Sequence, residues 1–157
     1  MNAQRMAARG VPFSQVSAGH LLHYRLCFNK RADSKSGVAY ANIAPAPGER
    51  VEGVLYRLDL PDSINTMDAF EGCPIRYSRE VMRIQSPENA TVLAAWIYVA
   101  NPAYIASGLL PESQYLDHLR EGAQWHSVAY RKMLAAQPVI DGPVLSTSSS
   151  RSLIYND

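Results

Sequence analysis

Glu71 stands where helix stability alone would not ask for a carboxylate. In the stretch from Ser63 to Tyr77, Ile64, Met67 and Phe70 recur at three-residue spacing, as on the buried stripe of a short helix, and Gly72 followed by Pro74 supplies the stop signal. Glu71 therefore closes a helix and faces the negative end of its dipole, an arrangement disfavoured by roughly 0.3–1 kcal/mol. A carboxylate at such an end, walled by apolar side chains, has its anion disfavoured and is suited to take and return a proton near neutral pH. A solvated Glu at a frayed helix end would give the same local pattern.

Other constellations carry less chemistry. His20 and His23 lie three apart on a strand-like segment and so point to opposite faces, the wrong placement for a shared metal. His118 and His126 are eight apart on a helical segment that Gly122 interrupts, and no carboxylate stands in register with them. No Gly-x-Ser-x-Gly elbow and no Gly-rich phosphate loop occurs. The residues thus predict neither a metal site nor a cofactor. Among the tyrosines, Tyr98 reads as a core residue.

The elements that must position Glu71 are mostly strands. The segments Val16 to Leu22, Tyr24 to Lys30, Val38 to Ile43, Val51 to Asp59, Tyr77 to Gln85 and Thr91 to Val99 are rich in β-branched and aromatic residues, and turn signals such as Ala46-Pro-Gly48 and Ser86-Pro-Glu-Asn89 separate them. The last two flank a short turn and predict a hairpin. Helices are expected at Asn2 to Arg9, capped by Asn2 and stopped by Gly10, at Asp62 to Glu71, and at Glu112 to Leu134 with a break near Gly122. The class is α+β. Residues 1–145 form one domain, and the Ser-rich run within 146–157 is a tail too poor in apolar residues to be ordered by burial.

At 157 residues the chain fits a single domain with one sizeable core. A hydrophobic content of 47% with 18% charged residues suits a soluble globular protein, and nine tyrosines suit a lined pocket as well as a core. The net charge of +1, with no basic cluster longer than Lys30-Arg31, leaves phosphate-backbone binding little to draw on, so nucleic acid is not an expected partner. The most apolar run, Val92 to Ala100, is too short for a membrane span of about 20 residues. No apolar signal segment follows Arg5 and Arg9, which predicts a cytoplasmic protein, and Cys27 and Cys73, in no zinc or redox spacing, are expected as reduced thiols.

Several segments, in order, resemble the gamma-glutamyl cyclotransferase family, AIG2-like: Asn2 to Met6, Leu22 to Phe28, Val51 to Tyr56, Glu71-Gly72 with Tyr77 behind it, Ala95 to Tyr98, and Pro111 to Ala123. The resemblance runs from residue 1 to about residue 134. It implies a small mixed β-barrel of about five to six strands with helices outside. It also implies the cyclisation of a small gamma-glutamyl compound to 5-oxoproline, with release of an amine or amino acid and no cofactor. By the same resemblance Glu71 is the general acid/base, and Gly72, Tyr77 and Tyr115 line the substrate pocket. The family opens with a strand ending in a Tyr-Gly-Ser-Asn loop whose backbone N–H groups cradle the substrate carboxylate, and Met1 stands where that loop has already ended. The resemblance therefore implies either a start upstream of Met1, or a shortened protein that keeps the pocket as a catalytically silent binding or scaffold module. Arg76 is a substitute for the cradle by charge alone.

Overall fold

The computed structural model describes residues 3–141. Helix α1 (Ala3–Ala8) is stopped by Gly10, whose φ of 67° is the left-handed conformation that glycine adopts without a Cβ penalty; Gly10 N–H and Val11 N–H close the last turn on Ala7 O and Met6 O. The expected cap, Asn2, lies outside the described residues, as does the Ser-rich run 146–152.

Strands β1 (Phe13–Arg31) and β2 (Ala39–Leu58) form one long antiparallel hairpin. Four separate strands were expected across this region, and the two apparent breaks explain the difference. His23 adopts φ 65° and is the single residue on β1 between the pairs Leu22↔Arg50 and Tyr24↔Pro45, while Ala46 to Glu49 loop out of β2 opposite it, with Gly48 N–H donating to His23 Nδ1 at 3.3 Å. The Ala46-Pro-Gly48 signal thus marks an irregularity within a continuous pair of strands, not a strand end. A second bulge falls at Asn29, between the pairs Phe28↔Ala41 and Lys30↔Tyr40.

Helix α2 (Ser63–Glu71) buries Ile64 and Met67 against Met6 and Val11, with Phe13, Tyr56, Leu58 and Tyr98 packed around them. Phe70, expected on the same stripe, is 52% exposed. Steps of three residues fall short of a 3.6-residue turn, so the third apolar position has rotated well away from the first. Strands β3 (Tyr77–Gln85) and β4 (Val92–Ala100) form the expected hairpin, in register from Tyr77↔Ala100 to Gln85↔Val92. A bridge between His20 and Gln85 joins the two hairpins into a four-stranded antiparallel sheet in the order β2-β1-β3-β4, which the described pairing does not close.

The expected helix Glu112 to Leu134 is two helices, α3 (Ser113–Arg120) and α4 (Val128–Ala135), separated by a 3-10 turn at Ala123–Trp125 just after Gly122. Ser127 caps α4 by accepting from Tyr130 N–H at 3.2 Å, and Arg120 Nη2 donates to Leu134 O and Ala135 O at its other end. No helix among the described residues is long and apolar enough to cross a membrane.

Candidate active site

A cavity of about 970 Å³ opens between the long hairpin and the helices, and Glu71, Tyr77 and Tyr115 all line it. Three elements bring them together. Glu71 arrives at the last turn of α2, because Gly72 (φ 66°, ψ 35°) ends the helix and folds its own N–H and that of Cys73 back onto Ala69 O and Asp68 O. Tyr77 opens β3, and Tyr115 sits in the first turns of α3. Gly72 itself is not part of the cavity wall; its place in the site is to end the helix at Glu71.

The partner of Glu71 is a cation. Arg9 Nη1 donates to Glu71 Oε1 at 2.9 Å, both side chains being largely buried, and the guanidinium lies 4.7 Å from the centre of the exposed Phe70 ring. Among the described residues Glu71 Oε2 receives no hydrogen bond, so one oxygen of this cavity-lining residue is anchored and the other is without a protein donor. The apolar walls expected around this carboxylate are only part of its surroundings.

Neither tyrosine hydroxyl bonds Glu71. Both meet the backbone of Ala41 on β2: Tyr77 Oη donates to Ala41 O at 2.9 Å, and Tyr115 Oη accepts from Ala41 N–H at 3.0 Å. Tyr77 is 7% exposed, and burial pushes its phenol far above the usual range; burial raises that of Tyr115 as well, against the Ala41 hydrogen bond. The phenolic proton of Tyr115 is not used on Ala41 and is available to a ligand. Tyr98, read as core, packs on the α1–α2 cluster and also lines the cavity, its hydroxyl donating to Asp68 Oδ1 at 2.7 Å.

Sequence reasoning missed several charged residues of this cavity, and three of them are buried or largely buried. Arg9 is one. Lys30, 3% exposed, is the second, and Glu52, 4% exposed, is the third. Glu52 Oε2 accepts from Ser127 N–H at 2.6 Å, and Oε1 from Ser127 Oγ at 2.8 Å and from Arg50 Nη2 at 3.0 Å. Burial alone would raise its carboxyl pKa, but the two Ser127 hydrogen bonds and Arg50 outweigh that and hold it below the ordinary value. The rings of His126 and Tyr130 meet at a tilt, 5.1 Å between centres, and burial lowers the His126 pKa. Arg76, a substitute for the cradle by charge, also lines the cavity, where its Nε is paired to Asp33 Oδ2 at 2.6 Å on a half-exposed side chain.

A family described as "Gamma-glutamyl cyclotransferase, AIG2-like" matches residues 2–127. No curated protein matches the chain. Among solved structures, the chain is similar to one described as a gamma-glutamyl cyclotransferase, with a TM-score of 0.75 at 20% identity over 88% of this chain and 83% of that one. It is equally similar to the uncharacterized protein loc79017 of Homo sapiens, with a TM-score of 0.74 at 20% identity over 90% and 84%. YkqA of Bacillus subtilis gives 0.69 at 15% identity, over 87% of this chain but 50% of that protein. At such identities these likenesses establish the shared fold.

Proposed function

Because the chain belongs to the gamma-glutamyl cyclotransferase, AIG2-like family, we propose that it cyclises a small gamma-glutamyl compound to 5-oxoproline, releasing an amine or amino acid, with Glu71 as the general acid/base. The observation that supports this most directly is the unequal state of the two oxygens of this cavity-lining carboxylate: Oε1 is held by Arg9, and Oε2 is unbonded among the described residues.

The nucleophile is tethered to its electrophile, so proximity and conformational restriction supply much of the acceleration. The substrate's α-ammonium gives one proton to Glu71 Oε2, and the freed amine attacks the γ-carbonyl carbon. The C–N bond to the leaving group then breaks as Glu71 returns that proton to the departing nitrogen. The ring nitrogen loses its second proton, which ends on the released amine, so the products are the neutral lactam and an ammonium and Glu71 is regenerated as a carboxylate. Tyr115, with its hydroxyl proton unused by Ala41, is placed to donate to a substrate oxygen, and Tyr77 braces the same strand. Gly72 acts by fixing where the helix ends.

The same reading takes the sheet as part of a curled barrel. Where β2 and β4 approach, Ala100 N–H donates to Asn42 Oδ1 at 2.9 Å, which draws the two outer strands together at one end.

The test is direct. The full-length protein is incubated with a panel of gamma-glutamyl amino acids and amines, and 5-oxoproline is quantified against free glutamate. Release of 5-oxoproline is expected; glutamate release alone, or no product from any member of the panel, overturns the reading.

A further inference from the structure

Lys30 is an ammonium group buried in the wall of the cavity with its donors unused. The bulge at Asn29 sets Lys30 opposite Tyr40, and Asn42 Nδ2 fixes the bulged residue by donating to Asn29 Oδ1 at 3.0 Å. The Nζ atom lies 5.2, 5.8 and 5.6 Å from the ring centres of Tyr40, Tyr77 and Tyr104. Its carboxylate contact is Asp33 Oδ1 at 3.8 Å, too long for a hydrogen bond, and the other oxygen of Asp33 is taken by Arg76 at 2.6 Å. Among the described residues, therefore, the three N–H donors of Lys30 have aromatic faces around them and no acceptor in reach. A buried ammonium needs compensation, and this one has a long Asp33 contact and three ring faces but no hydrogen-bond acceptor where it lines the cavity. Burial draws its pKa below that of an ordinary lysine, with Asp33 opposing and Arg76 and Arg31 adding to the fall.

Charge around Glu71 falls in a pattern. Arg5, from α1, Arg9, just after it, and Lys30, from the end of β1, line the same cavity as the Glu71 carboxylate, together with the Arg76–Asp33 ion pair. A gamma-glutamyl amino acid is the matching pattern: a central ammonium, with an α-carboxylate next to it and a second carboxylate on the leaving group across the scissile amide. We propose that Lys30 is the specificity-determining residue of this cavity, its ammonium receiving the carboxylate of the departing amino acid. This rests on the cyclotransferase reading of the cavity and names its substrate class: gamma-glutamyl amino acids or peptides in preference to gamma-glutamyl amines.

Two substrates that differ only by that carboxylate, γ-glutamyl-alanine and γ-glutamyl-ethylamide, test it. Turnover of both is measured for the full-length protein, Lys30→Met and Lys30→Gln, and thermal midpoints check that the variants are folded. The parent is expected to prefer γ-glutamyl-alanine, and either substitution to raise KM for it by about 10–100-fold, the loss of a charge-assisted hydrogen bond, while the loss on the ethylamide is smaller by at least about tenfold. Equal losses on both substrates, or a parent indifferent to the carboxylate, overturn the proposal. Calorimetric binding of γ-glutamyl-alanine to Glu71→Gln, with and without Lys30→Met, gives a readout that needs no turnover. Binding that depends on Lys30 in a protein whose parent releases no 5-oxoproline would overturn the cyclotransferase reading and leave Lys30 as an anion-binding residue; no binding to the parent overturns both.

Discussion

Two carboxylates line the same cavity, and their hydrogen bonding separates them. Glu52, from the interior of β2, is 2% exposed at its side chain and accepts from Ser127 N–H, Ser127 Oγ and two nitrogens of Arg50. Glu71, from the end of α2, is 20% exposed and accepts from Arg9 on one oxygen. An ionised carboxylate offers about four acceptor sites, so Glu52 is saturated by its own protein and Glu71 is not. On the proposed reading the more deeply buried group is the structural one, and what singles out Glu71 is not burial but spare acceptor capacity on a residue that lines the cavity.

The largest expected effect belongs to the unsaturated member. Glu71→Gln keeps the shape and the contact to Arg9 while removing the proton shuttle, and should lower turnover of gamma-glutamyl substrates by about 10²–10⁴-fold with the thermal midpoint held near the parent value. Near-parental turnover would remove Glu71 from the chemistry. A large fall in midpoint together with lost activity would make it a second Glu52.

Glu52→Gln should behave in the opposite way. The amide NH₂ cannot accept from Ser127 N–H, so the link between β2 and the cap of α4 weakens by about 2 kcal/mol in stability, while activity per folded molecule changes little. Because the folded pKa of Glu52 is depressed, its contribution to stability is present above the unfolded value of about 4.3 and is lost as pH falls through the folded value. The midpoint gap between parent and variant should therefore be widest near neutral pH and close in acid. A gap independent of pH would mean that ionisation of Glu52 contributes nothing.

Between these extremes lies the strand that both ends of the cavity share. Tyr115→Phe leaves the Ala41 N–H without its acceptor, and Tyr77→Phe leaves the Ala41 carbonyl without a donor. A carbonyl tolerates this better than an N–H, so losses of about 1.5 and about 1 kcal/mol are expected, in that order, from denaturant unfolding. Because both act on the backbone of one residue, through the two peptide groups that flank its Cα, the double variant should be non-additive. Full additivity would separate the two tyrosines and argue against a common clamp.

What could be read from the sequence divides along the same line. The end of α2 at Glu71 and the β3–β4 hairpin follow from local signals: Gly72 with Pro74, and a short turn between alternating flanks. The long β1–β2 hairpin did not, because His23 and Gly48, which make an interior irregularity, carry the same local signature as strand ends. The ligands of the carboxylates are further from reach. Arg9 meets Glu71 across 62 positions and Ser127 meets Glu52 across 75, and no period or spacing in the chain encodes either pair. Glu52 in Val51-Glu-Gly-Val reads as the solvent-facing member of an alternating strand until the helix that covers it is in place. Lys30 is hidden for a related reason, since the bulge at Asn29 that aims it has no composition signal.

The smallest effect tests how Glu71 is held. Glu52 is fixed by hydrogen bonds, whereas Glu71 depends on one ion pair and on the backbone turn that follows it. At Gly72, φ is 66°, a conformation that Ala adopts at a cost of roughly 1 kcal/mol, and an added Cβ would stand 2.7 Å from Arg76 Cδ. Arg76 is half-exposed and flexible, so its side chain can swing aside; the pair with Asp33 then opens, and Asp33 is left to approach Lys30. For Gly72→Ala the midpoint should fall by about 3 °C, as expected for about 1 kcal/mol in a domain of this size. KM for γ-glutamyl-alanine should rise slightly, because Asp33 then competes with the substrate for the Lys30 ammonium. A fall as large as that of Glu52→Gln would show that the α2 terminus is as firmly built as the Ser127 cap, and a fall in KM would show that the Arg76–Asp33 pair hinders the substrate instead of freeing Lys30 for it.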